Sequence, residues 1–367
     1  MVLAVDLSML YHLFSPVHQA IIGVGGAKIV FANPSARAAF GSDICNKPVS
    51  NIFPEEIFDG QGEKYICAAN VLGCDVGISV VKMGEITLLF IDFMDAEDKP
   101  ALYLTRQMMK TLRTNVMGIK MSADRCFLPM DEGVKPGEKY VSMLYHYYYR
   151  LVHTLTQMDS ADLLGRRDLA FVPAATDLVE LCSDLTAAVS DLFRDSGVKI
   201  KFSSPVQESK IIAVVDSEKI VQMLLALFSN SIRHTGRGGS ISLSIKRAEN
   251  RLVISVDDDG TGIPQDVLSS IFVLPQPEDF DLQNAHDGLG LGLYVSFGIV
   301  QLHNGVMLVE SREGEGTRVR VMLPVDTDTT PKFKSPEIGY RHNIAHTVLS
   351  GLANELDSRN FGPKFED

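Results

Sequence analysis

The sequence predicts an α+β protein of several domains, in which a small α/β domain and an antiparallel pair of helices precede a C-terminal α/β sandwich. Three observations support this prediction. Residues 1–97 alternate short apolar segments with turn residues, as strands and turns do. From Leu102 onwards, apolar residues recur in steps of three and four, which is the helical period. Beyond Val198, strand and helix patterns alternate and carry three separated motifs of glycine and polar residues.

The composition is that of an ordinary globular protein and argues against several functional classes. A chain of 367 residues is long enough for more than one hydrophobic core. The formal net charge of −12, without a compact Lys/Arg run, argues against nucleic-acid binding. Five cysteines without CxxC spacing indicate neither a disulfide framework nor a zinc site, which fits a reducing compartment. Since no apolar run reaches the roughly 18 residues of a membrane span and no basic leader is present, we expect a cytoplasmic protein without a direct membrane span.

The first domain, residues 1–97, is predicted to combine strands with short helices. Gly25 and Gly26 lie between two apolar segments and favour a hairpin turn. Asn33 begins a helical stretch that Gly41 ends. The predicted strands are residues 20–24, 28–31, 76–81 and 85–93.

The second domain, residues 98–170, is predicted to be two antiparallel helices joined by a turn. Pro129 ends the first helix, and Pro136 and Gly137 belong to the turn. Each helix carries an apolar stripe that is too long to leave in water. Dimerisation into a four-helix bundle would bury both stripes, so we expect a homodimer. The stripe residues are Leu102, Thr105, Met109, Leu112, Val116, Ile119, Ala123 and Cys126 in the first helix, and Leu144, Tyr148, Leu151, Leu155 and Met158 in the second.

The third domain, residues 171–325, carries the three motifs, and the first of them suits a metal-bound phosphate. Thr176 is predicted to cap its first helix. Asn230, on a later helix, offers a neutral amide oxygen for Mg²⁺ when phosphate oxygens supply the rest of the shell. Arg233 and His234 follow by three and four residues on the same helix face, from which they can reach phosphates.

The second and third motifs suit the base and the phosphates of a nucleotide. Asp258 ends a predicted strand and can accept a hydrogen bond from the exocyclic amine of adenine. Two glycines after it allow a tight turn, and three later glycines open a helix whose free N–H groups bind phosphates. Singly, such features are more often structural, but the three together predict a site for ATP and Mg²⁺. The glycines are Gly260 and Gly262, then Gly288, Gly290 and Gly292.

Residues 198–324 resemble the ATP-binding domain of sensor histidine kinases, whose Bergerat (GHKL) pocket is shared with gyrase, mismatch-repair and chaperone ATPases. The resemblance implies an α/β sandwich that binds Mg-ATP, with Asn230 on the metal and Thr317 among the nucleotide-binding residues. The matching segments are residues 230–235 for the N box, 258–262 for the G1 box, 288–293 for the G2 box, and His303-Asn304-Gly305, Ser311 and residues 314–317 for the closing portion.

The other segments follow the order that the resemblance implies. Residues 1–97 resemble a PAS sensory domain, which would sense a ligand or support dimerisation; an accessory packing domain without a ligand is the alternative. Residues 98–170 stand where these kinases place their dimerisation bundle. Residues 326–367 are expected to be a linker and a short helix, at 343–356, that docks or packs. The implied partners are a second copy of the chain and a response regulator.

The phospho-acceptor position departs from the family pattern. These kinases carry His, an acidic residue and then Leu-Arg-Thr, whereas here Lys110 and Thr111 precede residues 112–114. An ammonium group with a reference pKa of about 10.4 is protonated at neutral pH and is a poor nucleophile. His146 or His153 on the second helix is an alternative, relocated acceptor. The other interpretation is that both histidines are structural.

The groups that would promote catalysis depart from the pattern as well. Ala226, four residues before Asn230, stands where the related ATPases have a Glu base, so we expect slow direct hydrolysis. The predicted lid between Gln265 and Asp287 contains no Lys or Arg. Cationic help for the γ-phosphate would then come from Arg233, Mg²⁺ or another subunit.

We therefore predict a cytoplasmic, dimeric, histidine-kinase-like signalling protein of a two-component pathway that binds Mg-ATP and is degenerate in autophosphorylation. It would act as a phosphatase, a scaffold or an allosteric partner. Three alternatives stay open: an active histidine kinase with a relocated acceptor, an anti-sigma-type Ser/Thr protein kinase, and a non-catalytic dimeric scaffold with a vestigial pocket.

Overall fold

The structure is a computed structural model that describes most of the chain. The predicted linker at residues 326–336, Gly288 and most of the predicted lid lie outside the described residues. Within the part that is described, no helix is long and apolar enough to cross a membrane. The described residues are 14, 19–62, 64–93, 101–127, 138–205, 210–248, 251–268, 271, 290–324 and 340–361.

The N-terminal domain is an antiparallel sheet of five strands with a short helix, α1 (Pro34–Phe40), packed beside it. Asn33 caps this helix, and its side-chain oxygen accepts hydrogen bonds from the N–H groups of Ile21 and Ala36, both at 2.9 Å. The cap therefore ties the helix to the first strand. The strands are β1 (Ala20–Gly25), β2 (Lys28–Ala32), β3 (Lys64–Val71), β4 (Cys74–Met83) and β5 (Ile86–Phe93). Their spatial order is β2-β1-β5-β4-β3.

Strand β3 is an element that the sequence pattern did not predict. Its residues from Tyr65 to Ala69 are all buried, so the strand lacks the alternation of polar and apolar residues that marks a half-exposed strand. It also contains Cys67, Ala68 and Ala69, and alanine is a weak strand former. Burial on both faces explains why local sequence did not reveal it.

Helices α2 (Ala101–Phe127) and α3 (Glu138–Gly165) pack along each other as an antiparallel pair. Gly118 allows this close contact, because a Cβ atom there would lie 2.5 Å from ring atoms of Tyr147. About one turn before Gly118 on α2, Asn115 Nδ2 lies 3.5 Å from Thr154 Oγ1 of α3. A set of apolar side chains on the two helices stays exposed, namely Met109, Val116, Met117, Met121, Tyr148 and Leu155.

The C-terminal domain is a mixed sheet of five strands with helices on one face. Its elements are β6 (Ala174–Asp177), α4 (Leu178–Leu192), β7 (Lys199–Ser203), β8 (Ile212–Val215), α5 (Ser217–His234), β9 (Ser240–Ala248), β10 (Arg251–Asp258), α6 (Gln265–Leu268), α7 (Gly292–Leu302), β11 (Val306–Arg312) and β12 (Gly316–Pro324). The strand order is β11-β12-β10-β9-β7, and β6 pairs separately with β8. Helices α4, α5 and α7 bury their apolar residues in one core against the sheet. Asp177 caps α4 in place of the predicted Thr176, which lies within β6.

The two sheets are continuous, because β3 pairs with β11 in an antiparallel register. Cys67 lies opposite Leu308 at the centre of this pairing. The result is one sheet of ten strands in the order β2-β1-β5-β4-β3-β11-β12-β10-β9-β7. The apolar cores are shared as well: Ile66 of β3 belongs to the core under α4 and α5, while Leu308 of β11 belongs to the core of the N-terminal domain.

The C-terminal segment, which we define as residues 340–361, contains helix α8 (Tyr340–Gly351) and a short 3-10 helix, Ser358–Asn360. The predicted helix at residues 343–356 thus begins earlier and ends earlier in the structure. Six apolar residues of the segment are buried in the core of the C-terminal domain: Val348, Leu349, Leu352, Ala353, Leu356 and Phe361.

Candidate nucleotide-binding site

Helix α5 carries the first motif and is held firmly at its start. Asp216 caps it, with one carboxylate oxygen accepting from Lys219 N–H at 3.1 Å and the other from Val172 N–H at 2.9 Å. The Asp216 N–H in turn donates to His303 Nε2 at 3.1 Å, which links the start of α5 to the end of α7. The cap therefore sets the position from which the last turns of α5 reach the site.

The last turns of α5 bring Asn230, Arg233 and His234 to the site. Asn230 and Arg233 are half-buried, and His234 is exposed. Ser231, which the sequence reasoning did not single out, is buried and points to the sheet. Successive helix residues differ by about 100° in direction, so the spacing that singled out Asn230 did not indicate that Ser231 faces β10.

Asp258, at the end of β10, connects three parts of the site through its carboxylate. One oxygen accepts from Ser231 Oγ at 2.8 Å, and the other accepts from the N–H groups of Gly260 at 3.1 Å and Thr317 at 3.2 Å. Burial raises the pKa of Asp258, and these hydrogen bonds, together with the charge of His234, oppose the rise. The acidic side chain is thereby fixed in one orientation.

The close approach of the turn after Asp258 to the β11–β12 hairpin requires glycine at two places. Gly262 has a φ of +68°, and a Cβ atom there would lie 2.1 Å from the carbonyl oxygen of Arg312. Gly316 has a φ of +99°, and a Cβ atom there would lie 2.0 Å from the carbonyl oxygen of Asp258. These distances allow no side chain, so the two glycines let the turn and the β11–β12 hairpin approach each other.

Ser311 holds the same turn against the hairpin. Its Oγ accepts from Ile263 N–H at 2.8 Å and lies 2.9 Å from Thr317 Oγ1. Thr317 thus contributes its backbone N–H to Asp258 and its hydroxyl to Ser311. The structure brings the second motif and the closing segment of the sequence together through these bonds.

The third motif begins α7 beside α5. Gly290 has a φ of +68°, and Gly292 is the first residue of α7. A Cβ atom on Gly292 would lie 3.6 Å from the Cβ of Ala226. The start of α7 therefore packs against α5, one turn before Asn230. Among the described residues, no side chain caps the first N–H groups of α7. These donors are suited to an anion.

Arg233 contacts the C-terminal segment. Its Nη2 donates to Glu355 Oε1 at 2.5 Å, and Ser229 Oγ donates to the same oxygen at 2.8 Å. The Glu355 side chain is 5% exposed and the Arg233 side chain 27% exposed. No sequence signal identified Glu355, which lies 122 residues beyond Arg233.

The candidate acceptor residues lie on the helical pair. Lys110 and Thr111 belong to α2, and the Lys110 side chain is not among those described. His146 Nε2 lies 3.0 Å from the carbonyl oxygen of Ala353, and burial lowers the pKa of His146. Burial, followed by the positive charges of Arg233 and Arg150, lowers the pKa of His153 to about 4.

Known proteins are similar to parts of this chain. Residues 215–327 match the family described as histidine kinase-, DNA gyrase B- and HSP90-like ATPase. The signal transduction histidine-protein kinase BaeS of Escherichia coli (strain K12) is 28% identical over 179 residues, which are 49% of this chain and 37% of BaeS. The adaptive-response sensory kinase SasA of Parasynechococcus marenigrum (strain WH8102) is 33% identical over 175 residues, which are 45% of this chain and 44% of SasA. Full-length ShkA with AMPPNP aligns with a TM-score of 0.47 and 18% identity over 62% of this chain and 47% of ShkA.

The family match covers the helices and strands that hold Asn230, Asp258 and Gly292. The chain spans less than half the length of BaeS or of SasA. Residues 215–327 therefore form an ATPase region of the type found in histidine kinases, DNA gyrase B and HSP90, and part of the chain is similar to sensor histidine kinases.

Proposed function

We propose that this chain is a Mg-ATP-binding signalling protein of a two-component pathway, with its pocket between α5, the turn after β10, α7 and β12. The observation that carries the proposal is the carboxylate of Asp258, which hydrogen-bonds to α5, to the glycine turn and to β12 at once. A half-buried acid held in one orientation by three partners is suited to recognising one base.

Each group has a chemical role in the proposal. Asp258 accepts a hydrogen bond from the exocyclic amine of adenine and so distinguishes adenine from guanine. The uncapped N–H groups at the start of α7 donate to phosphate oxygens. Asn230 supplies an amide oxygen to Mg²⁺, which neutralises negative charge on the phosphates when bound. His234, exposed at the end of α5, adds a further donor toward the phosphates.

The proposal includes little or no autophosphorylation. Lys110 replaces the acceptor His. Ala226, at the point where α5 meets Gly292, carries an apolar methyl group that cannot activate water, so direct hydrolysis of ATP should be slow as well. His146 is engaged with Ala353 and stacks on Phe361 with 4.9 Å between ring centroids, so it would have to leave both before accepting phosphate.

The helical pair and the N-terminal domain support further parts of the proposal, which concern the oligomeric state, the sensory domain and the partner. The exposed apolar side chains of α2 and α3 support a homodimer through a four-helix bundle. The five-stranded N-terminal sheet supports a PAS-like domain, and the family supports a response regulator as partner. The cysteines at positions 45, 67, 74, 126 and 182 are all free thiols, which supports a cytoplasmic location.

The test is binding of Mg-ATP by calorimetry, followed by incubation with γ-labelled ATP. The control is Asn230→Asp, which places a carboxylate where phosphate oxygens approach and should weaken binding. We expect binding that the control weakens, with no label retained on the chain. Absence of binding at about 1 mM ATP would remove the proposed function.

The same experiment separates the alternatives. An acid-labile, base-stable label that is lost in the His146→Ala and His153→Ala double variant would identify an active histidine kinase with a relocated acceptor. An acid-stable label on a separate protein would identify a Ser/Thr protein kinase. If ATP does not bind and the chain is still a dimer, the non-catalytic scaffold is favoured.

A further inference from the structure

The C-terminal segment contacts three helices of the chain, namely α4 and α5 of the C-terminal domain and α3 of the helical pair. Leu352 and Leu356 are buried in the core of the C-terminal domain, and a Cβ atom on Gly351 would lie 2.6 Å from a methyl carbon of Leu225 on α5. Asn360 Nδ2 donates to the carbonyl oxygen of Leu192, the last residue of α4, at 2.9 Å. The segment is therefore packed tightly onto the ATP-binding domain.

The same segment is bonded to α3 of the helical pair. His146 Nε2 lies 3.0 Å from the carbonyl oxygen of Ala353, and Arg150 Nε donates to Asn354 Oδ1 at 3.1 Å. The Tyr149 hydroxyl forms a hydrogen bond with His346 Nδ1. The Phe361 ring also stacks on that of His146, with the centroids 4.9 Å apart. These contacts join the ATP-binding domain to α3 in one arrangement.

Glu355 stands at the centre of the contact with α5. Its Oε1 accepts from both Arg233 and Ser229, whereas its Oε2 is buried and has no hydrogen-bond partner among the described residues. A buried carboxylate is stable only when it is paired with a cation and hydrogen-bonded. If Arg233 turned toward a phosphate, Glu355 would keep only the hydroxyl of Ser229.

We propose that the C-terminal segment is an autoinhibitory contact, in which Glu355 holds Arg233 away from the phosphates of ATP while the surrounding bonds fix the ATP-binding domain to α3. The inference rests on the proposed function, because it requires ATP to bind beside α5. Phosphate and Glu355 compete for one guanidinium group. By linkage, binding of the phosphates and release of the segment promote each other by the same factor.

The test compares Glu355→Gln with wild type in the full chain. Glutamine keeps the size of the side chain and an acceptor for Ser229, but it removes the ion pair with Arg233. The matched control is Asp357→Asn, which makes the same charge change two residues away at an exposed position whose bonds go to Ser358 and Arg359. Calorimetry measures the affinity for Mg-ATP and for adenosine.

We expect Glu355→Gln to bind Mg-ATP about tenfold more tightly than wild type. Its affinity for adenosine, which carries no phosphate, should not change, and the control should behave as wild type. ATP affinity that is unchanged or weaker in Glu355→Gln would overturn the inference and leave the proposed function intact. A wild-type chain that binds neither ATP nor adenosine would overturn both.

Hydrogen exchange on the wild-type chain tests the inference without a variant. Mg-ATP should increase the exchange of amides in residues 340–361, because Arg233 leaves Glu355, whereas adenosine should not. Exchange in the segment that stays the same or slows with bound ATP would overturn the inference.

Discussion

Asp258 is a residue at which the proposed binding of ATP and the stability of the fold have opposite requirements. Its pKa is raised by burial, so the folded protein binds a proton at this carboxyl more tightly than the unfolded chain does. The stability that this residue contributes is therefore present below its unfolded pKa and is lost as pH rises through the folded pKa. Ionisation of Asp258 therefore costs more free energy in the folded chain than in the unfolded chain, which is typical of a functional group.

Substitution of Asp258 by Asn should separate the two requirements. The amide oxygen can still accept from the N–H groups of Gly260 and Thr317, and the amide nitrogen can donate to Ser231, whose hydroxyl rotates to accept. We expect an unfolding temperature equal to or above that of wild type, with ATP affinity reduced at least about tenfold. Thermal unfolding and calorimetry measure the two effects. A variant that unfolds earlier but binds ATP normally would contradict the prediction.

His153 makes a second residue-scale prediction, about pH. Its pKa of about 4 in the folded chain lies below the unfolded value of about 6.5, so its stabilising contribution is complete above pH 6.5 and is lost as pH falls toward 4. Between about pH 7 and about pH 5, the free energy of unfolding should fall by about 2 kcal/mol more in wild type than in His153→Gln. Urea unfolding at both pH values measures this. Equal falls in the two proteins would show that His153 does not titrate in this way.

At the scale of elements, the junction of β3 with β11 depends on a group of polar contacts as well as on strand pairing. Glu310 of β11 accepts from Gln61 N–H and, at 3.0 Å, from Gly62 N–H just before β3. Its other oxygen pairs with Arg320 of β12, and both side chains are less than 15% exposed. Glu310 therefore connects the N-terminal sheet to the β11–β12 hairpin, which belongs to the candidate nucleotide site.

Substitution of Glu310 by Ala should weaken this junction. It removes the carboxylate partner of the Arg320 charge, which keeps the carbonyl oxygen of Asp59 as an acceptor. It also removes the acceptor for Gln61 and Gly62, so we expect a loss of about 3 kcal/mol in the free energy of unfolding. Glu313→Ala, at an exposed position in the turn between β11 and β12, is the control and should change stability by less than about 0.5 kcal/mol. Urea denaturation compares the two variants. Similar losses in both would rule out a specific role for Glu310.

The helical pair gives a prediction about association. Met117 and Met121 are adjacent on one face of α2 and are 53% and 64% exposed, so a partner helix would cover them. We expect wild type to form the proposed dimer and the Met117→Glu and Met121→Glu double variant to be monomeric at the same concentration, because burying two carboxylates opposes association. Sedimentation velocity measures the change. Lys120→Gln, on an exposed residue of the same helix, should leave the dimer unchanged.

At the scale of the whole molecule, the N-terminal and ATP-binding domains share both a sheet and apolar cores. Ile66 lies in the core of the C-terminal domain, and Val253 and Met322 lie in the core of the N-terminal domain. Neither core is complete without strands from the other domain. A change in the N-terminal sheet can therefore reach β12, and with it Thr317 and Asp258, without passing through the helical pair.

Sharing of cores predicts cooperative unfolding. Because loss of β3 would expose apolar side chains of both domains, we expect the N-terminal and ATP-binding domains of the full chain to unfold in one thermal transition. Scanning calorimetry with hydrogen exchange at β1 and β9 would measure this. Added Mg-ATP should raise the temperature of that one transition. Separate transitions for the two strands would contradict the prediction.

The local sequence pattern predicted those elements whose start or buried face is marked by residues close together in the sequence. Asn33 before Pro34 predicted the start of α1, and the apolar stripes predicted the paired helices α2 and α3. Prediction was wrong for the cap of α4, which is Asp177 and not Thr176. It missed β3, because a strand buried on both faces has no alternation to detect.

The sequence by itself determined the composition of the candidate nucleotide site, since a helix places Asn230 and Arg233 on one face and only glycine tolerates the turn at Gly262. Tertiary structure alone decided the pairing of β3 with β11 and of Arg233 with Glu355. The second pair joins residues 122 positions apart. Such contacts depend on the burial of many side chains from distant segments, and no local spacing records them.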